Sequence, residues 1–432
     1  MAVFKEHPLR ETLAEEMHAR PHGVIDAPAK ISYIAVINDE TGAGADNAHL
    51  AELCQLFKVP APPKEATHFN GPIGPMRLKW ERHAEFSAYT FILEAPFEQP
   101  FKGTVIEQIP EDWLRALPGE VLVASHFALD SRDQSERPTK ELVGLFDNNT
   151  VVGSHVSNRR AMVWTDFQIH GDRFRRFLVR DINSNHRAMA RLVQRITEVE
   201  TYRSLAMLAL PPAREARARV SQAELDVSAI IARLAEIDGV EDERELLARL
   251  SALAAEAESV SAQTSYRFSA SRAYFELVNR RLRDLREERI DGMQPTGEFI
   301  ERRLGPAMET IENVAQRQEN LSVRIARASN LLRTRVDVAL EGQNRDLLRS
   351  MDRRARTQLR LQATVEGLSV VAISYYLLSL VSYLAKGAKA LGSPFDPFVV
   401  VVVTFPVVFA GVWASVRQVR KSITHKEADP EK

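Results

Sequence analysis

A chain of 432 residues is too long for one ordinary core and calls for two or three folding units. Hydrophobic residues make up 45% and charged ones 27%, a globular balance that excludes wholesale disorder. Net charge is −1, so there is no global basic field to hold nucleic acid, and the single cysteine, Cys54, excludes an internal disulfide framework. Cys54 reads as a buried, inert thiol in a reducing compartment.

The first ten residues lack the apolar run of a secretory signal, so residues 1–360 are expected to stay in the cytosol. Leu9, Leu13 and Met17 have helical spacing, and Pro21 disfavours helix beyond residue 19. Glu15 and His18 share a face of that helix and His22 follows it. These three are candidate metal ligands, but no second carboxylate–histidine pair completes a site, so His18 and His22 read as surface or hydrogen-bonded histidines. Residues 30–37 read as a strand and 46–57 as a helix capped by Asp46 or Asn47. Between them, Gly42 and Gly44 start a dinucleotide-type glycine pattern, but Asn47 stands where its third glycine belongs, leaving a flexible connector.

Strands are expected over 77–80, 85–93, 121–129, 141–146, 150–156, 161–169 and 173–179, with a hairpin turn at Asp147-Asn148-Asn149. His83 and Glu85 would share one face of a strand, in a cross-strand polar network. No P-loop, G-x-S-x-G elbow or H-E-x-x-H occurs, so no catalytic residue, metal or cofactor is assigned and no enzyme is expected. Residues 1–180 therefore read as a cytosolic α+β, or mixed α/β, domain.

From residue 185 the pattern turns helical, with breaks at Pro211-Pro212, Asp238-Gly239 and 291–295. Residues 185–320 read as a helical domain. A stalk helix over 321–366 follows, its apolar residues recurring every three or four positions and only Gly342 and Gly367 as interruptions. Two uncharged stretches come next, 367–385 and 398–416. Each is 19 residues, about 28 Å as helix against a hydrocarbon core of about 30 Å. They read as transmembrane helices joined by an outer loop, 386–397, and followed by a basic cytosolic tail, 417–432. The flanks orient the hairpin. Arg345, Arg349, Arg353, Arg354, Arg356 and Arg360 precede it, Arg417, Arg420, Lys421 and Lys426 follow it, and the loop holds only Lys386 and Lys389. Both ends then face the cytosol in a multi-pass inner-membrane protein, the arginines serving topology and anionic headgroups.

Along the first span Ser369, Ala372, Tyr376, Ser379, Tyr383 and Lys386 recur at three- and four-residue steps, a small and polar stripe on one face. In lipid such a face belongs against another helix or water. It suits either the hairpin's own interface or a pore lining in a homo-oligomer, and the stalk's apolar stripe also asks for partners, the chain's own helices or further copies.

Several stretches resemble one family. They are His7-Pro8-Leu9-Arg10 with residues 16–21, residues 81–91, and residues 344–351 and 358–369. These look like the bacterial predicted membrane-anchored proteins grouped as domain of unknown function 3422, nearly end to end. The resemblance implies a cytoplasmic-membrane protein and no assigned activity. The layout also resembles that of CorA-type magnesium channels, pentamers whose first spans line the pore. Their Gly-Met-Asn motif is absent here, and Lys386 and Lys389 stand at the mouth instead. The sequence thus leaves an oligomeric CorA-like channel or transporter beside a membrane-tethered scaffold or regulator.

Overall fold

The structure is a computed structural model, and it describes residues 6–11, 13, 23–38, 44–234, 236, 239–391, 394 and 396–427. Glu15, His18, His22 and Gly42 lie outside the described residues. The chain divides into two units, residues 1–236 with 246–329 and residues 237–245 with 330–432.

In the first unit nine strands form one sheet, β1 (Ala29–Ile37), β2 (His68–Ile73), β3 (Met76–Arg82), β4 (Phe86–Leu93), β5 (Glu120–Asp130), β6 (Val152–Val156), β7 (Ala161–Thr165), β8 (Arg175–Asp181) and β9 (Glu288–Arg289). Their order is β2-β3-β4-β1-β5-β8-β7-β6-β9. Every adjacent pair is antiparallel except β5–β8, a mixed sheet of the α+β kind.

Both faces of the sheet are covered, which explains why β1 reads as an almost unbroken apolar run rather than an alternation. Ile31, Tyr33 and Ala35 point to one face, beneath Met189, Leu192, Val193 and Ile196 of α4 (His186–Met207). Ile34 and Val36 point to the other, beneath Leu50, Leu53 and Cys54 of α1 (Ala45–Leu56) and Trp113 of α2 (Glu111–Arg115). Cys54 is fully buried, and burial pushes its thiol pKa up, which disfavours the thiolate.

Three expectations for this part of the chain are corrected. Residues 141–146 are not a strand, because α3 (Thr139–Leu145) follows Pro138. Leu142 and Phe146 both enter the core while Gly144 between them is exposed, a helical rather than an alternating pattern. Asp147 and Asn148 do turn the chain, at φ of 54° and 61°, but from helix to β6 rather than between strands. The cap of α1 is Gly44 at φ 116°, and Asp46 faces inward instead. Strand β2 went unforeseen because Asn70, Gly71 and Pro72 break strand patterning. At a sheet edge, where one side of the backbone needs no partner, they are tolerated.

The helical part holds α4, capped by the Asn185 side chain accepting from the Ala188 amide at 2.8 Å, α5 (Leu210–Leu234), α6 (Val240–Leu285) and the start of α7 (Thr296–Ala390). Pro211 and Pro212 sit in the first turn of α5, where no helical amide partner is lost. The stalk was expected to begin at Leu321. Helix α7 starts earlier, because Ile300, Leu304, Met308, Ile311 and Val314 already follow helical spacing and enter a core with Val260, Phe268 and Val278 of α6. It runs through Gly342 and Gly367 without a break, and α8 (Pro397–Glu427) follows.

Phe127, 1% exposed and stacked on Phe177 at 4.8 Å, marks the centre of the sheet core. Phe127→Ala should cost about 3–5 kcal/mol in denaturant unfolding of the detergent-solubilised protein. Val121→Ala, at a 49% exposed position of the same strand, should stay within about 0.5 kcal/mol.

Candidate functional site

The first unit holds a cleft of about 260 Å³ between α4 and the face of β1, β3 and β4. Its wall carries Arg77, Lys79, Glu81, His83, Glu198 and Arg281, with Tyr33, Thr197 and Thr201 deeper. Lys79 Nζ lies 2.9 Å from Glu81, and Arg281 pairs with Glu198. Tyr33 shares a 2.8 Å hydrogen bond with Thr201, and burial pushes its hydroxyl pKa far up, so it stays neutral. Among the described residues no serine or cysteine lines this cleft. Charged pairs around an apolar floor suit binding more readily than nucleophilic chemistry.

His83 stands at the cleft, its ring stacked on Phe86 at 4.3 Å. It does not share a strand face with Glu85. Both lie in the turn between β3 and β4, because the His83 amide bonds back to Phe86 across a hairpin, and Glu85 reaches Arg267 and Tyr266 of α6 instead. His7 is exposed, its Nδ1 accepting from the Leu9 amide at 3.2 Å. Among the described residues no group of three His, Cys, Asp or Glu could hold a metal ion.

Beside the cleft strands, Asp46 accepts from Arg82 Nε at 2.8 Å and from Ser87 Oγ at 2.6 Å. Burial pushes its carboxyl up, but these hydrogen bonds and the Arg82 charge outweigh burial and hold the pKa below the ordinary carboxylate range.

Two buried histidines escaped the sequence, since a lone histidine in an apolar strand or loop carries no pattern. Ser32 Oγ lies 2.9 Å from His126 Nδ1, and Asp172 lies 3.8 Å from His126 Nε2. The residue types suggest a hydrolase triad, but the geometry does not. Ser32 is wholly buried, its Oγ accepts from the Ile106 amide at 3.2 Å, and it meets the imidazole at Nδ1 rather than Nε2. The group fastens β1 and β5 to the 3-10 turn Val105–Gln108. His170 is a second fastener, with Asp147 2.8 Å from Nδ1 and Asp166 3.0 Å from Nε2.

In the second unit, α7 and α8 are each long and apolar enough to cross a membrane. Their covered positions define a seam. On α7, Val370 and Ser374 are buried and Leu378, Val381 and Ala385 half-buried; on α8, Val412 is buried and Val400, Thr404 and Val408 half-buried. Ser374 lies 16 residues before the end of α7 and Val412 15 residues after the start of α8, so the two faces meet at equal depth in an antiparallel hairpin.

The polar stripe divides against that seam. Ser369 and Ser379 are half-buried, whereas Ala372, Tyr376, Tyr383 and Lys386 are exposed, both tyrosines at 73%. At about 100° per residue the tyrosines lie roughly 120–180° around the helix from Val370 and Ser374. Tyr376, Tyr383 and Lys386 thus lie outside the covered face of the hairpin, while Ser369 and Ser379 border it. Lys386 Nζ rests 5.9 Å from the Tyr383 ring, and Lys389 lies 3.6 Å from Asp396 across the loop.

Arg353, Arg354, Arg356 and Arg360 are all exposed on α7, Arg356 paired at 2.9 Å with Asp352. Arg360 lies about 10 Å of helix from Gly367, but Arg345 about 33 Å, beyond the reach of headgroups on an upright helix. Arg417 is exposed on α8 with its guanidinium 5.0 Å from the Trp413 ring. Arg420 and Lys421 lie on the same helix, their side chains outside the described residues.

The family model described as "Protein of unknown function (DUF3422)" matches residues 5–423, and so takes in the sheet, the helices and the apolar hairpin together. The chain belongs to this family. DUF3422 brings no activity that could be set against the cleft or the hairpin. A search of curated proteins finds no match.

Burial pushes the His126 pKa down to about 4, against about 6.5 for a free imidazole, so the folded state keeps it neutral while the unfolded chain protonates it. Its contribution is present above about pH 6.5 and is lost as pH falls toward 4, by up to about 1.4 kcal/mol per pH unit. His126→Gln should flatten the pH dependence of the unfolding free energy by close to one proton across that window.

Proposed function

We propose that this chain is an integral protein of the cytoplasmic membrane that spans it twice, keeps both ends in the cytosol, and serves as a tether or regulatory scaffold without catalysis. One observation carries the reading. Only 11% and 6% of the most apolar stretches of α7 and α8 is buried, where a core helix of a water-soluble protein would be mostly covered. Valine, leucine and aromatic side chains left bare over two 19-residue stretches suit lipid tails as surroundings. The arginine-rich flanks support the orientation. The cleft beside α4 is the natural place for such a scaffold to take a ligand.

The outward tyrosines favour a second reading, an oligomeric ion channel or transporter with a CorA-like layout, pentameric if the likeness extends that far. Tyr376, Tyr383 and Lys386 would line its path, and a ring of lysines at the mouth would repel Mg²⁺.

Alkaline carbonate washing of bacterial membranes should leave the chain in the pellet, and a reporter fused after Lys432 should be active only in the cytosol. Release into the wash, or activity on the outer side, would overturn the placement. In liposomes the tether reading expects background ion flux from wild type, Tyr376→Ala and Lys386→Glu alike. Flux above background that either substitution alters would instead establish the channel.

A further inference from the structure

The exposed stripe does not begin at the membrane. Stepping back from Ser369 by alternate four- and three-residue intervals reaches Val365, Gln362, Gln358, Ala355, Met351 and Leu348. Positions 348–386 thus hold one unbroken heptad seam of twelve residues, about 57 Å of helix. Seven of the 19 residues in 348–366 are charged, yet none of the six seam positions in that water-exposed stretch is. Arg349, Arg353, Arg356 and Arg360 stand on the opposite face. Leu348 is 66% exposed, Met351 58% and Val365 57%, and of the twelve seam positions only Ser369 and Ser379 are half-buried, so among the described residues the seam is left largely uncovered.

We infer that this seam is occupied by a second copy of the same chain, parallel and in register, with the contact passing from the stalk into the span without a change of face. The inference rests on the membrane-spanning reading above.

Three observations name the occupant. The partner must offer a helix that also crosses the membrane boundary while keeping one face uncharged, and α7 itself does so at the same depth. Gln358 and Gln362 carry both a donor and an acceptor, so each satisfies its own counterpart across the seam. A register shifted by one heptad would set the Gln358 amide against Met351 or Val365 and the Gln362 amide against Ala355 or Ser369, losing the paired match. A strip about 57 Å by about 10 Å on each copy covers roughly 1,100 Å² in total, above the roughly 1,000 Å² of specific interfaces. With 3.5 residues per repeat, the pair must wind left-handed to keep the seam closed. Ala372 and Ser379 alternate with Tyr376 and Tyr383, so close approach is possible at one level and ring packing at the next.

The test uses the full-length chain in bacterial membranes, with Cys54→Ala as background and one new cysteine per variant. Under a mild oxidant, Gln358→Cys, Gln362→Cys, Ala372→Cys and Ser379→Cys should each give a disulfide-linked product of twice the chain mass. The yield should be at least fivefold above Thr357→Cys, Thr364→Cys and Val371→Cys, which lie off the seam. Equal yields at all seven positions, products of some other mass, or no product at the seam positions would overturn the inference. Carbonate washing of the same membranes separates the two claims. Chain lost to the wash overturns the spanning reading, whereas chain retained but never cross-linked overturns the paired seam alone.

Discussion

Helix α7 is one continuous ladder of backbone hydrogen bonds over 95 residues, and much of the rest of the molecule depends on it. Because a helix satisfies its own amides and carbonyls, the same element can line a core, stand in water and enter lipid with no change of backbone. Side chains alone mark the passage. Ile300 to Val314 face a core with α6, residues 348–366 alternate charge with an uncharged seam, and residues 367–385 carry no charge at all. Pro306, inside the helix, removes one amide without ending it.

The first unit is governed by a different constraint, burial of the sheet on both faces. Strand β1 pairs β4 on one side and β5 on the other while helices cover it above and below. Polar groups on such strands need partners of their own. Ser32 finds His126 and the Ile106 amide, Tyr33 finds Thr201, and Asp46 gathers Arg82 and Ser87. These fastenings resemble catalytic groupings by residue type. Their burial and atom-by-atom geometry make them structural instead.

Much of this was legible in one dimension, and the failures have physical causes. Strands β1, β4 and β5 and helix α1 declared themselves because β-branched runs and helical apolar spacing are local signals. Residues 141–146 misled because a seven-residue helix and a short strand bury the same few apolar side chains, and only the partners Ala128, Met162, Trp164 and Leu178 choose between them. The reading of His83 and Glu85 as aligned in an extended strand fails because a hairpin turn parts them. The polar stripe was visible as a stripe, but which neighbour it faced was not. Burial of Val370 and Ser374 showed that the hairpin closes on the other side.

By itself, the sequence determined the two apolar stretches, their charged flanks and the helical run that leads into them. Each is a property of consecutive residues, since length, hydropathy and periodicity need no knowledge of what lies far along the chain. Only the tertiary structure decided which faces were taken. It placed the cleft between α4 and the sheet, turned the serine and histidines into fasteners, and left the tyrosine seam uncovered. Those outcomes depend on pairs such as Ser32 with His126 and Tyr33 with Thr201, 94 and 168 residues apart, which no local pattern can bring together.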